Sequence, residues 1–297
     1  MAHRIFVSLA ALLVALFAAL VPSTARAESA KVIRVGALYP LSGNIASTGL
    51  DCRRGAELAV DIINGKYDLD LPLAKEEGLP NLGGAKLVLV FADTKGEPKN
   101  GLAEVERLVT QEKVVAIIGA YQSSVTKTAS QATERLKIPY VCSDASSPTL
   151  TQRGFKYFFR ASPNDASFAR DQIKFLKDMQ TVKKKKVETI AILNENTEFG
   201  SNVAKEVVKA AQEGGFKVVA EISYTANATD VTSEVGRLIQ AKPDVLIHAS
   251  YITDAILFTK TFKEMGFKPT AFLSFAGYIK PAYPPAVKSD GHDIVVR

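Results

Sequence analysis

Two apolar patterns alternate along the chain. Short runs rich in β-branched and aliphatic residues stand at 31–38, 86–91, 114–118 and 138–141. Between them, at 55–63, 98–110 and 123–136, apolar positions recur at helical spacing. In the first helical segment these are Ala56, Ala59, Val60 and Ile63. In the second, Leu102, Val105, Leu108 and Val109 share one face, and Pro98 near its start forfeits an N–H that a helix leaves unpaired there anyway. The run at 114–118 is apolar throughout, as in a parallel strand buried on both faces. The alternation resumes after Phe158-Phe159-Arg160. Helical spacing recurs at 166–179, 200–212, 231–240 and 253–265, and strand-like runs recur at 189–193, 217–222, 245–248 and 271–275. Such alternation predicts βαβ units with right-handed crossovers, an α/β protein of two doubly wound parallel-sheet lobes joined by a hinge. The boundary falls near Ala161-Ser162-Pro163, giving an N-terminal lobe over 28–160 and a C-terminal lobe over 161–297. Residues 66–84 form the one long irregular insertion, read as a surface loop or short hairpin.

The N-terminus carries a different signal. Met1-Ala2-His3-Arg4 is a short positive start, residues 5–21 lack charge, and Ala25 and Ala27 bracket Arg26 in an A-x-A pattern before Glu28. These are the three regions of a secretory signal peptide over 1–27, against the alternative of a membrane anchor. Its removal with Arg4 and Arg26 lowers the formal charge from +6 to +4. This mild excess aids solubility and says little about nucleic acid, which is not among the expected partners, and Lys183-Lys184-Lys185-Lys186, with no interleaved aromatics, reads as a solvated loop. The two cysteines, Cys52 and Cys142, could pair in an exported protein, or Cys142 could simply be buried. No Cys or His cluster has metal spacing, and no cofactor is implied.

In doubly wound sheets ligands bind beyond the carboxyl ends of the strands, so the strand-to-helix junctions carry the candidate chemistry. After 114–118 comes Gly119-Ala120-Tyr121-Gln122-Ser123-Ser124, with serines where a helix begins. The free N–H groups there suit a carboxylate, or a serine caps its own helix. The next strand is followed by Ser143-Asp144-Ala145-Ser146-Ser147-Pro148-Thr149, a second polar loop at the same edge. After 245–248, Tyr251 either projects from the second lobe or packs against it. Nucleotide-binding glycine loops, a G-x-S-x-G elbow and H-E-x-x-H are all missing, and His248 lies in an apolar strand as a core residue would. The balance shifts from catalysis toward binding.

Val35-Gly36-Ala37-Leu38-Tyr39-Pro40-Leu41-Ser42-Gly43 followed by Gly55-Ala56-Glu57-Leu58-Ala59 resembles the N-terminal signature of periplasmic Leu/Ile/Val-binding proteins. The segments 117–124, 146–154 with Phe158-Phe159-Arg160, 194–200 and 244–251 resemble further segments of that family in order, over residues 31–297. The resemblance implies a type I periplasmic-binding-protein fold, not an enzyme: the substrate-binding component of an ABC transport system for amino acids. The ligand would be a branched-chain amino acid or related small carboxylate, and the partners a membrane permease and ATPase, in the periplasm. By position it places Ser123 on the ligand carboxylate, with Tyr121 and Gln122 in the same loop. It places Asp144, Ala145 and Ser146 in the adjoining contact loop, Phe199 over the ligand and Tyr251 near the ammonium.

Two departures accompany it. Many relatives carry an acid just before the glycine of Leu273-Ser274-Phe275-Ala276-Gly277, where it pairs with the ligand ammonium. Here that position is Ala276, and a buried ammonium without its carboxylate costs several kcal/mol, on the order of 3–5. A receptor for aromatic acids or amides is therefore an alternative, as is a sensory ligand-binding module; an amidase or hydrolase lacks a nucleophile–base pair. Relatives also continue beyond the position of Arg297 to finish the first lobe, so the resemblance implies an early stop.

Overall fold

The computed structural model describes residues 31–288 and the strand Val295–Val296; the signal read at 1–27 and His292 lie outside the described residues. In chain order the elements are β1 (Val32–Tyr39), α1 (Ala46–Asn64), β2 (Lys86–Asp93), α2 (Pro98–Thr110), β3 (Ala116–Gly119), α3 (Ser123–Leu136), β4 (Tyr140–Cys142) and β5 (Phe158–Arg160). There follow α4 (Asp165–Thr181), β6 (Thr189–Glu195), α5 (Glu198–Glu213), β7 (Lys217–Tyr224), α6 (Thr232–Ala241), β8 (Val245–Ser250), α7 (Ile252–Met265), β9 (Ala271–Ala276), α8 (Tyr283–Val287) and β10 (Val295–Val296).

These build two five-stranded sheets of the same topology, β2-β1-β3-β4-β5 and β7-β6-β8-β9-β10. Every pairing within them is parallel. The expected α/β architecture of two parallel-sheet lobes is present, and the chain passes from one sheet to the other through residues 161–164. Strand alternation decides which face each residue serves. In the second sheet Ile190, Ile192, Val245, Ile247 and Leu273 pack under α4 and α5. Ala191, Leu193, Leu246 and Phe272 face the opposite way, under α6 and α7. Helix α5 buries Phe199, Val203, Val207 and Ala210 along one stripe. The first lobe has its own core, in which Leu38, Leu108, Ile117, Val125 and Tyr140 meet.

Helices α2 and α3 span the residues their periodicity predicts. Helix α1 starts well before residue 55, a start without a sequence signal, since its first turns lack the apolar spacing and Ile45 at its N-cap makes no side-chain cap bond. It is held there by close packing: a Cβ on Gly49 would lie 2.0 Å from the Pro40 carbonyl oxygen. The three-residue strand β5 is too short to show a period. The insertion at 66–84 is irregular, with a 3₁₀ turn at Pro80–Leu82 and one antiparallel bridge, Leu79 to Ala85. Cys52 and Cys142 are both free, the second buried, and Lys183 to Lys186 are exposed in a loop.

Gly119 ends β3 at φ +108°, where a Cβ would stand 2.2 Å from the Leu38 carbonyl oxygen. That position requires glycine both for its dihedral and for the contact with β1. We expect Gly119→Ala to lower unfolding stability by more than about 2 kcal/mol in urea titrations; an unchanged midpoint contradicts this packing.

Candidate functional site

Both sheets follow the order 2-1-3-4-5, whose switch point lies between the first and third strands. In the first lobe this brings together the ends of β1 and β3, with the β4 loop beside them. In the second it brings together the ends of β6 and β8. The two edges face each other across a cavity of about 210 Å³. Tyr121, Ser143, Asp144 and Ser146 line it from the first lobe, and Ser162 and Pro163 from the crossing. The second lobe supplies Phe168, Gln172, Phe199 and Phe275, together with Ala276, Ile279 and Lys280.

The β3 junction is a tight corner. The Ala120 N–H donates to the Tyr140 hydroxyl at 2.5 Å, and α3 begins at Ser123 with no side-chain cap. The Ser123 hydroxyl, buried, accepts the Ser147 N–H at 3.3 Å and so ties the two junction loops together. Gln122 is buried behind them and its Oε1 finds no partner. The β4 loop is pinned from beneath: the Arg160 guanidinium donates to the carbonyls of Ala145 and Ser147. Ala145 is thereby buried, while the flanking Asp144 and Ser146 reach the cavity.

In the second lobe, Glu195 at the end of β6 is fully buried and accepts from the N–H groups of Thr197 and Gly200, at 2.5 and 2.8 Å. A carboxylate at the N-terminus of α5 answers the positive end of the helix and fixes Phe199 over the cavity. Burial nevertheless raises the Glu195 carboxyl above its usual range. Tyr251 is wedged between rings of both lobes, with centroids 5.6 Å from Tyr121 and 5.2 Å from Phe199. Burial holds its phenol far above the ordinary tyrosine range, and the Ser123 backbone N–H of the opposite lobe, bonded to it, opposes that rise.

Of the residues singled out from sequence, Tyr121, Asp144, Ser146 and Phe199 line one cavity. Tyr251 packs between two of them, and Ser123, Gln122 and Ala145 stand behind the wall. Sequence reasoning missed Phe168, Gln172, Ile279 and Lys280. Lys280 crosses the cleft, its ammonium 4.5 Å above the Tyr121 ring. Its segment is held by the protein interior. His248 is buried, with Nε2 3.2 Å from the Tyr224 hydroxyl and Nδ1 2.5 Å from the Tyr278 hydroxyl. Burial lowers its pKa to about 3, so the imidazole is neutral at pH 7. It is a satisfied core histidine that positions the loop bearing Ile279 and Lys280.

The lobes also touch at their rims. Lys127 pairs with Glu198 at 2.9 Å, and Thr149 donates to the same carboxylate at 2.7 Å. On the opposite rim Asn44 bonds Asn227 at 3.1 Å, and Thr253 donates to the Asn44 carbonyl at 2.9 Å. Among the described residues no cluster of His, Cys, Asp or Glu could hold a metal, and no helix is long and apolar enough to cross a membrane.

This architecture has known counterparts. The family model "Periplasmic binding protein" matches residues 32–291. The Leu/Ile/Val-binding protein homolog 7 of Brucella suis is 32% identical over 99% of this chain and 68% of its own length. The chain belongs to the periplasmic Leu/Ile/Val-binding protein family, a non-catalytic class of transport components. A leucine-binding protein LivK from Thermotoga maritima superposes with a TM-score of 0.76 at 17% identity, covering 89% of this chain and 69% of that one. A solute-binding protein of an ABC transporter from Rhodopseudomonas palustris, in complex with 4-hydroxybenzoate, does so at 0.73 and 20%, over 87% and 66%. At these identities both likenesses concern the fold.

Asp165, at the start of α4, is fully buried, and its carboxylate oxygens make no hydrogen bond of good geometry, although the Ser146 hydroxyl lies close by. Burial raises its pKa from 3.8 to about 7, against the pull of the Ser146 hydroxyl and the Arg160 guanidinium. The folded chain therefore keeps a proton there that the unfolded chain loses near pH 4, so this group's contribution to stability falls as pH rises from about 4 to 7. We expect Asp165→Asn to gain stability over the natural chain between pH 5 and pH 8, by up to about 4 kcal/mol at ~1.4 kcal/mol per pKa unit. Thermal unfolding at both pH values checks this, and a pH-independent difference between the two proteins refutes it.

Proposed function

We propose that this chain is the exported solute-binding component of an ABC import system, closing its two lobes on one small carboxylate with an apolar body. Export is assigned to residues 1–27, and a membrane permease with its ATPase would receive the closed form. The observation that carries the reading is the cavity at facing switch points, walled by Tyr121 from one lobe and Phe168, Phe199 and Phe275 from the other. About 210 Å³ equals roughly seven waters at about 30 Å³ each, room for a ligand of about ten non-hydrogen atoms. Branched-chain amino acids meet that size. Tyr121, Asp144, Ser146 and Phe199 are the proposed ligand contacts and Tyr251 the divider between the lobes; Ser123, Gln122 and Ala145 shape the anchoring loops.

An aromatic acid is a second reading, favoured by one observation. The residue before Gly277 is Ala276, and Lys280 lines the same cavity as Asp144, so the site holds no excess negative charge for an ammonium.

A titration-calorimetry panel of branched-chain amino acids and benzoates tests both. We expect Phe199→Ala to weaken binding of the best ligand at least tenfold; unchanged affinity refutes the cleft as the site. Closure is tested separately. Glu198 bridges the rims away from the cavity, so Glu198→Ala should weaken binding about three- to tenfold by disfavouring the closed form. Small-angle scattering of the ligand-free variant should show a larger radius of gyration. An unaltered profile together with unaltered affinity removes the rim contact from the mechanism.

A further inference from the structure

The cavity is unevenly furnished. Its outer wall is aromatic, whereas its crossing-side end gathers polar atoms that the protein leaves without partners. Among the described residues nine buried side-chain nitrogen or oxygen atoms lack a hydrogen bond, and five of them belong to Arg160, Ser162, Asp165 and Gln172, along the crossing and the first turns of α4. Ser162 and Gln172 line the cavity themselves. Gln172 is 2% exposed, and its amide nitrogen donates to the Ser274 carbonyl at 3.1 Å, which fixes the side chain and leaves Oε1 unsatisfied. Native proteins rarely leave several buried polar groups unpaired at one place, because each costs about 1–3 kcal/mol. A cluster of this kind beside a ligand cavity is explained by a partner that arrives with the ligand.

The unpaired set is dominated by acceptors. Gln172 Oε1 accepts only, Asp165 accepts when ionised and the Ser162 hydroxyl adapts to either role, so Arg160 Nε is the one obligate donor among them. We infer that the crossing-side end of the cleft is a subsite for a hydrogen-bond donor at the distal end of the ligand, a hydroxyl or amide N–H, with Gln172 Oε1 as the principal acceptor. The inference rests on the proposed carboxylate-binding cleft and adds a second polar feature to its ligand. The carboxylate faces Ser146 and the Lys280 ammonium, the apolar body lies among the rings, and a donor group points toward α4. A ligand without that donor would leave Gln172 unpaired and dry, the condition under which polar sites reject apolar analogues.

The test uses the full chain and ligand pairs that differ by one distal donor: 4-hydroxybenzoate against benzoate, and L-glutamine against L-methionine. Calorimetry should show the donor-bearing member of the bound pair preferred at least tenfold. Gln172→Met, similar in size and without the amide, should erase that preference while changing affinity for the donor-free member less than threefold. Equal affinity within the bound pair overturns the subsite and leaves the cleft proposal standing, as does a preference that survives Gln172→Met. Should that variant fail to fold, the comparison within the natural chain still decides. Binding of no member of either pair overturns the proposed ligand class and the subsite with it.

Discussion

Parallel pairing is the constraint from which the rest of this structure follows. A strand can be followed by a parallel neighbour only after a crossover, so every strand-to-helix junction of a sheet falls on one edge. Two sheets of identical order, 2-1-3-4-5, therefore present two edges built alike: strand ends, tight loops and helix N-termini with free N–H groups. When the edges face each other the interior between them is polar backbone lined by whatever side chains the loops carry. In this chain the lining includes aromatic rings from both lobes, and Tyr251 stands between a ring from each lobe. The apolar stacking closes the lobes, and the backbone polarity beneath it offers an anchor for negative charge.

Holding such loops in place consumes polar groups that a motif search would mistake for chemistry. Glu195 caps α5, and Arg160 grips two carbonyls of the β4 loop. His248 sits between two tyrosine hydroxyls among Phe258, Phe262 and Phe272. Each is a structural bond to a segment that reaches the cleft. This explains how a chain without catalytic motifs carries buried titratable groups around its site: they define the shape of the cavity.

The junction loops were legible in the sequence because they follow strands, and strands announce themselves by composition. Tyr121, Asp144, Ser146 and Phe199 all come within a few residues of a strand end. Gln172 does not. It lies two turns into α4, on the helix face that meets β9, and only the folded chain shows that this face reaches the cavity. Lys280 was hidden for a similar reason, since its approach to Tyr121 depends on packing between lobes. Ser123 shows the opposite case. Its position at a helix start was read correctly, but whether its hydroxyl meets a ligand, caps the helix or ties two loops is a matter of tertiary contact, and here it meets Ser147.

The loop after β9 joins these themes. Ala276 sits at φ +53°, ψ −81°, a conformation that costs a non-glycine residue about 1–3 kcal/mol. Its neighbour Gly277 passes so close to Tyr251 that a Cβ would lie 2.6 Å from that residue's carbonyl carbon. Such strain persists only where surroundings over-determine it, and here they do: Tyr278 is bonded to buried His248, and Lys280 is stacked on the opposite lobe. The same loop thus brings a cation to the cleft. Lys280 and Asp144 line one cavity with opposite charges, so a zwitterion gains little from the net field and must be recognised by local hydrogen bonds. On the proposed ligand class, selectivity would then rest on the unpaired Gln172 Oε1 at the crossing-side end, where geometry and desolvation discriminate between ligands of similar size.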